Sequence, residues 1–226
     1  MPEPTLYRWP ASAEVGKSVP KTKFYERGDV PGALREKFVD DVHRITWAYK
    51  LADITIHLAG SGAVPEIQVF TIETKGKDVA DDVLAAIDRS IHYPVIFEIA
   101  GQERVRMTAA QKSLGGTMPR IGTYLTTGWA PVDSPRDPLP TAIDLVGLYE
   151  AIITKLLPLQ TRDGESVSAA TGRMNEAHKL RREITALEKR LRAEPQLNRK
   201  IDLRRQLKDR EARLAELTAH APNTRG

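Results

Sequence analysis

The chain has no cysteine among its 226 residues. That absence excludes disulfides, zinc ribbons, iron–sulfur clusters and thiol catalysis together. Long apolar runs are missing too. The longest, Tyr93 to Ala100, is interrupted by Glu98 and falls far short of the roughly 20 residues a membrane span needs. The opening MPEPTLYRWP has neither a basic start nor an apolar stretch, so no secretory signal is visible. A cytoplasmic location with no membrane partner is the expectation. Glycine forms no GxxxxGK[ST] or GxGxxG pattern, which removes local support for nucleotide binding. No GxSxG elbow occurs, and Gly60-Ser61-Gly62 reads as a turn. The five histidines, His43, His57, His92, His178 and His220, contain no pair at helical ligand spacing. Neither a metal nor a cofactor is expected.

An apolar share of 41% is enough to build a core, and the length allows one domain of ordinary size plus an appendage. The net charge of +4 hides an asymmetry. Residues 1–172 carry 19 Lys+Arg against 22 Asp+Glu, a balance of −3, while residues 173–226 carry 15 against 8, a balance of +7. A basic appendage on a mildly acidic body points to an anionic contact.

Early prolines (Pro2, Pro4, Pro10, Pro20, Pro31) make the first thirty residues an extended, turn-rich entry. A helix is expected over Ala33–Asp41. His43–Leu51 alternates Ile45, Trp47, Tyr49 and Leu51 on one side of a strand, and Ile54–Leu58 alternates again. Ile67–Thr74 (IQVFTIET) is a β-branched and aromatic strand. Asp78 can cap the helix after it, whose apolar face is Val79, Val83, Leu84, Ile87 and Ile91. Pro94 then opens YPVIFEIA, a buried strand. Strand, helix and strand make a βαβ unit, for which a right-handed crossover is expected. Arg104–Gln111 and Arg120–Thr127 are two more strands around Gly115-Gly116, Pro131–Pro140 is loop, and Ile143, Val146, Tyr149, Ile153 and Leu156 mark an amphipathic helix.

In the tail, Leu180, Ile184, Leu187 and Leu191 step by four, three and four residues as a coiled-coil seam. Glu194-Pro195 interrupts it; Leu203, Leu207, Leu214 and Leu217 resume it, with Arg210 at the intervening position. The expected fold class is therefore α/β, a mixed sheet with a βαβ unit, followed by a C-terminal antiparallel coiled-coil hairpin. The boundaries are a globular domain at 1–159, a linker at 160–172, the hairpin at 173–219 and a disordered tail at 220–226.

Three groups of residues could carry chemistry or binding. Glu73-Thr74-Lys75 ends a central strand, and many restriction-type nucleases place Glu-x-Lys there with another acid on a neighbouring strand. The carboxylates hold Mg²⁺ and the lysine orients water. Asp53 or Glu66 could supply the second acid; the alternative is that Glu73 and Lys75 merely end a strand in solvent. Lys17, Lys21 and Lys23, beside Phe24 and Tyr25, could meet nucleic-acid phosphates and stack on bases, or the aromatics could pack on the core. In the tail, Arg181, Arg182, Arg190, Arg199, Lys200, Arg204, Arg205 and Arg210 form the basic surface expected to meet a partner, since arginine suits bidentate contacts with carboxylate or phosphate.

Five blocks, VPKTKFYE, RITWAYKL, EIQVFTIETK, AIDRSIHYPVIFEI and EPQLNRKIDLRRQL, occur in this order. Together they resemble a bacterial family known as domain of unknown function 4391, over about Trp9 to Leu217. The chain departs from the family pattern at His92, where proline is usual, at Leu197, where phenylalanine is common, and at Arg204, which replaces an asparagine. The resemblance implies a companion of helicases and DNA methyltransferases in restriction-like, anti-phage gene neighbourhoods. It brings no catalytic residues. The leading expectation is a non-enzymatic accessory or adaptor protein of such a defence system that binds protein partners, with DNA as a second target. The runner-up is the metal-dependent Glu-x-Lys nuclease.

Overall fold

The computed structural model describes residues 6–25, 30–114, 119–157, 162 and 164–219. The chain divides into two compact units, Met1–Leu156 and Leu157–Gly226.

The first unit is built on a seven-stranded mixed sheet: β1 (Glu14–Ser18), β2 (Val42–Leu51), β3 (Ile67–Thr74), β4 (Val95–Ala100), β5 (Arg104–Ser113), β6 (Arg120–Thr126) and the two-residue β7 (Ala130–Pro131). The spatial order follows the sequence from β1 to β6, with β7 pairing β5. Among the described strands only β3 and β4 pair in parallel. They are joined by helix α4 (Asp81–Ser90), so the expected βαβ unit is present. Its strands are buried nearly throughout, which is why both read as apolar runs rather than alternating ones. Helices α1 (Thr22–Tyr25), α2 (Gly32–Asp41) and α3 (Asp53–Ile56) precede it. Phe38 of α2 and Val83, Leu84 and Ile87 of α4 join Ile45, Phe70, Ile72, Val95, Phe97 and Ile99 in one core cluster. Ile67, Val69 and Ile96, equally buried, alternate to the opposite sheet face. Helix α5 (Leu145–Leu156) packs on β5 and β6.

Several local expectations are corrected. The β2 residues Ile45, Trp47, Tyr49 and Leu51 do not share one face, because the pairing with β3 shifts between Trp47 and Tyr49. Trp47 stacks on Phe70 at 6.5 Å, whereas Tyr49 lies 6.0 Å from Trp9, on the side where Trp9 bonds Glu98. A bulge at Ala48 re-aims the side chains after it. Ile54–Leu58 is not a strand. Thr55 accepts from the Ala52 amide at 2.9 Å and donates to the Lys50 carbonyl, which curls this segment into a single helical turn, α3. His57, in the left-handed region at φ 56°, ends that turn. Ala80, rather than Asp78, occupies the cap of α4; the Asp78 carboxylate instead receives Arg106 at 2.7 Å and the Val79 amide. Ile143 is 92% exposed and lies outside α5, whose first amides are held by Asp144. Glu14–Ser18 forms a strand within the segment read as an extended entry. Gly115-Gly116 and residues 220–226 lie outside the described residues.

One buried ion pair ties the first unit together. Lys112 of β5 and Asp88 of α4 are 0% and 1% exposed, with Nζ and Oδ1 2.6 Å apart. The lysine donates to three carbonyls, of Asp88, Ile91 and Tyr93, at 2.7–2.9 Å. Three donors require the ammonium form. With its hydrogens so directed, its contact with Oδ1 is an ion pair lacking an aligned N–H. Asp88 Oδ2 accepts from Tyr124 at 2.9 Å. Burial raises the Asp88 pKa and lowers that of Lys112, and each partner's charge opposes the shift of the other.

Removing one member of this pair strands the other charge in the core. Lys112→Met is expected to cost about 3–5 kcal/mol by urea unfolding, and Lys112→Met/Asp88→Asn clearly less than the sum of the single changes. A loss below about 1 kcal/mol for Lys112→Met would show that the pair does not hold the core.

The second unit contains α6 (Val167–Ala193) and α7 (Leu197–Thr218), joined by residues 194–196. Ser166 accepts from the Ala169 amide and starts α6, so the segment read as a linker at 160–172 is helical from Val167. Pairings of Arg210 with Glu183 and of Arg213 with Glu176 fix the two helices as an antiparallel hairpin. Leu180, Leu203 and Leu217 are buried between them; Ile184, Leu187, Leu191, Leu207 and Leu214 are half-buried.

Candidate functional site

Glu73 and Lys75 sit at the end of β3, where α2 runs into β2. The register places Arg44 directly across from Glu73. The Glu73 carboxylate has the Arg44 guanidinium at 3.2 Å and the His43 imidazole at 4.0 Å. A divalent ion needs several carboxylate oxygens converging on it. Here the neighbouring strand offers a guanidinium in that place. Lys75 is also engaged: its amide donates to the Asp41 carbonyl at 2.8 Å and its ammonium to the Val39 carbonyl at 2.7 Å. Lys75 thereby neutralises the C-terminal end of α2, where carbonyls lack helical partners.

Asp53 and Glu66 stand at the other end of these strands. Leu51, two residues before Asp53, pairs with Ile67, one residue after Glu66. Seven residues of strand put Glu66 about 23 Å from Glu73 along the chain. The Glu66 carboxylate is held by Lys50 at 2.7 Å and by Gln68 at 2.6 Å. The sheet therefore brings neither acid to Glu73. Among the described residues no group of three or more His, Asp or Glu side chains is placed to hold a metal ion.

The basic-aromatic segment is divided in the same way. Phe24 is buried and stacks on Phe38 at 6.5 Å; Tyr25 leans on the same ring at 5.4 Å. Lys21 donates to the Val42 carbonyl at 2.8 Å, and burial followed by the nearby Lys75 lowers its pKa. Lys17 and Lys23 remain exposed. The aromatics thus serve the core rather than an open stacking surface.

A cleft of about 470 Å³ opens between α5, the end of β5 and the 62–64 loop. Its buried polar side chains, Lys112 and Tyr149, already direct their hydrogen bonds to backbone carbonyls, Tyr149 to Ala110 at 2.7 Å. Nothing unsatisfied at these two points faces a ligand.

The hairpin presents the sharpest contrast. Some of its arginines are wired into it. Arg173 meets Glu165 at 2.7 Å and the Leu217 carbonyl at 2.9 Å, Arg162 reaches the Glu216 carbonyl at 2.6 Å, and Arg213 meets Glu176 and Glu216 at 3.1 Å. Arg210, the polar residue in the leucine series, bonds Glu183 of the facing helix at 2.8 Å. Its place in the partner-binding set is thereby also a place in the hairpin's own framework. By contrast, Arg181, Arg182, Arg190, Arg199, Lys200, Arg204 and Arg205 make no ion pair among the described residues. Residues 177–208, the half of the hairpin nearest the turn, hold 11 Lys+Arg against 4 Asp+Glu, so they carry the whole +7 of the tail. At the start of α7, Leu197 is 69% and Ile201 54% exposed. This apolar pair is not among the candidates read from the sequence; its signal there is two large residues four apart and out of phase with Leu203 and Leu207.

A mixed-sheet α/β unit followed by a basic helical hairpin is thus the class of protein defined here. A family model, "Domain of unknown function (DUF4391)", matches residues 8–214, and the chain belongs to that family. No curated protein and no solved structure matches it. Among the described residues no helix is long and apolar enough to cross a membrane.

Arg173 lowers the Glu165 pKa from 4.5 to about 2, chiefly through its side-chain hydrogen bonds, with the Arg162 amide assisting. A carboxylate depressed by folding stabilises above its unfolded pKa, and that stabilisation disappears as pH falls through the folded one. Thermal melts of wild type and Glu165→Gln should therefore differ at pH 7 and converge between about pH 4.5 and 2. A gap independent of pH would show that the carboxylate charge is not what holds Arg173.

Proposed function

We propose that the protein is a non-enzymatic adaptor that uses its hairpin, a short antiparallel coiled coil, to dock on a protein partner of a restriction-like, anti-phage complex. The observation that carries this reading is the exposed pair Leu197 and Ile201, set among unpaired cations. On a helix of 3.6 residues per turn, Leu197, Ile201, Arg204, Arg205 and Lys208 share the side of α7 turned away from Leu203, Leu207 and Leu214. An apolar centre rimmed by charge is the anatomy of a protein interface. Its complement is a partner patch that is apolar at the middle and carboxylate-rich at the rim. A second copy of this chain fits poorly, since like charges would meet. The family pattern, with phenylalanine common at the position of Leu197, also favours a large apolar group there.

The family resemblance implies a helicase or a DNA methyltransferase of the same locus as that partner. The pairing of Glu73 with Arg44 supports the non-enzymatic half of the reading, because a metal-dependent nuclease needs that carboxylate free.

Two measurements test this. Co-expressed with a helicase or a DNA methyltransferase drawn from its own gene neighbourhood, the full-length protein should recover one of them. Leu197→Ser/Ile201→Ser should lower that recovery at least tenfold while leaving the fold intact, as both side chains are largely in water. Equal recovery would move the docking surface elsewhere. The purified protein with Mg²⁺ or Mn²⁺ should leave DNA and RNA uncut; cutting abolished by Glu73→Ala would restore the nuclease.

A further inference from the structure

The face of α6 opposite the leucine seam has a character of its own. Relative to Leu180, Ile184, Leu187 and Leu191, the far side of the helix carries Asn175, His178, Arg182, Thr185, Ala186, Lys189 and Ala193, with Lys179 and Arg192 towards its margins. All of these residues are exposed. From Asn175 to Ala193, about five turns, no carboxylate falls on this face: Glu176, Glu183 and Glu188 all lie nearer the seam, where the first two receive Arg213 and Arg210. Arg181, Arg182, Lys189 and Arg192 make no ion pair among the described residues. Glu176 and Glu183 are taken by seam-side arginines, Glu183 also lying 3.9 Å from Lys179, and an acid-free row of cations is left facing water.

We propose that this face of α6 binds the phosphate backbone of duplex DNA without reading its sequence. Arg182 and Lys189, seven residues apart, are separated by about 10 Å along the helix. Measured along the duplex axis, that length covers about three phosphates of one strand, at roughly 3.4 Å of axial rise each. Arg181 and Arg192 extend the row at either side. Arginine offers a planar fork to phosphate oxygens, and no carboxylate on this face competes for it. No tyrosine, tryptophan or phenylalanine occurs between Val167 and Thr218 to stack on an unpaired base. The surface is also free of large apolar groups, unlike the Leu197–Ile201 face of α7. The two faces point away from each other across the seam, so one hairpin can hold a protein on one side and DNA on the other. This inference deepens the adaptor reading by giving it a second partner, and it rests on different residues.

The test uses the full-length protein and a fluorescently labelled 24-base-pair duplex, followed by anisotropy. Four phosphate contacts give a slope of about −3 to −4 for log affinity against log salt, a loss on the order of a hundredfold between 50 and 200 mM NaCl. A duplex of shuffled sequence should bind equally well. Arg182→Gln/Lys189→Gln should weaken binding at 50 mM salt at least tenfold and make the slope shallower by about 2. Circular dichroism should show its helix content unchanged. Leu197→Ser/Ile201→Ser should bind the duplex as wild type does, which separates failure here from failure of protein docking. No binding at 50 mM salt, or a slope unaltered in the Gln variant, overturns the proposal. So does poly-glutamate bound as tightly as the duplex and equally dependent on Arg182 and Lys189, which would assign this face to an acidic protein.

Discussion

The Lys112 ammonium is the constraint on which the first unit depends. A single buried cation joins four elements: it lies on β5, pairs with Asp88 of α4, and takes the carbonyls of Ile91 and Tyr93 on the way into β4, while Tyr124 of β6 completes the Asp88 carboxylate. The Tyr149 hydroxyl of α5 receives the Lys112 amide and donates to the Ala110 carbonyl, two residues earlier on β5. The Asp88 carbonyl, in the last turn of α4, also accepts from the Ile91 amide at 3.2 Å, and the carbonyls of Ile91 and Tyr93 lie just beyond the helix. A positive charge there answers both the carbonyls and the negative end of the helix dipole. The geometry of the βαβ crossover thus depends on a polar network as well as on its apolar faces.

The ends of α2 show the same use of lysine on a smaller scale. Lys21 and Lys75 come from segments 54 residues apart in sequence and converge on the carbonyls of Phe38, Val39 and Val42. With Arg44 held by Glu73, the basic residues of this corner are consumed by local satisfaction. This explains why a Glu-x-Lys pattern at a strand end need not mean catalysis: each group already has a partner within the fold.

Much of the sheet was legible in the sequence because its central strands obey simple rules. Ile67–Thr74 and Val95–Ala100 are buried on both faces, and the helix between them has a clean apolar stripe, so pattern and structure agree. What failed did so where one residue or one hydrogen bond outweighed periodicity. The bulge at Ala48 inverted the faces of β2 after Trp47, and the Thr55 hydroxyl turned an alternating segment into a helical turn. The candidate site was less legible still. That Glu73 faces Arg44, and not an acid, is set by the β2–β3 register, to which a single sequence gives no access. Asp88 and Lys112 were readable in principle as charged residues within apolar periods, four residues after Leu84 and near the end of a buried strand.

In the hairpin, charge and apolar surface are sorted by side. Arg162, Arg173, Arg210 and Arg213 hold the helices and the chain entering α6 in register, and they exhaust Glu165, Glu176, Glu183 and Glu216 in doing so. A surface meant only for solubility would intersperse both signs around each helix, since mixed charge serves that purpose and adds short-range pairs. Instead the half towards the turn holds the whole excess of 7 positive charges. Concentrating like charge at one end destabilises an isolated two-helix hairpin through self-repulsion, while the seam supplies few fully buried leucines in return. In the adaptor proposed above, association with an anionic partner would remove that repulsion and take Leu197 and Ile201 out of water together.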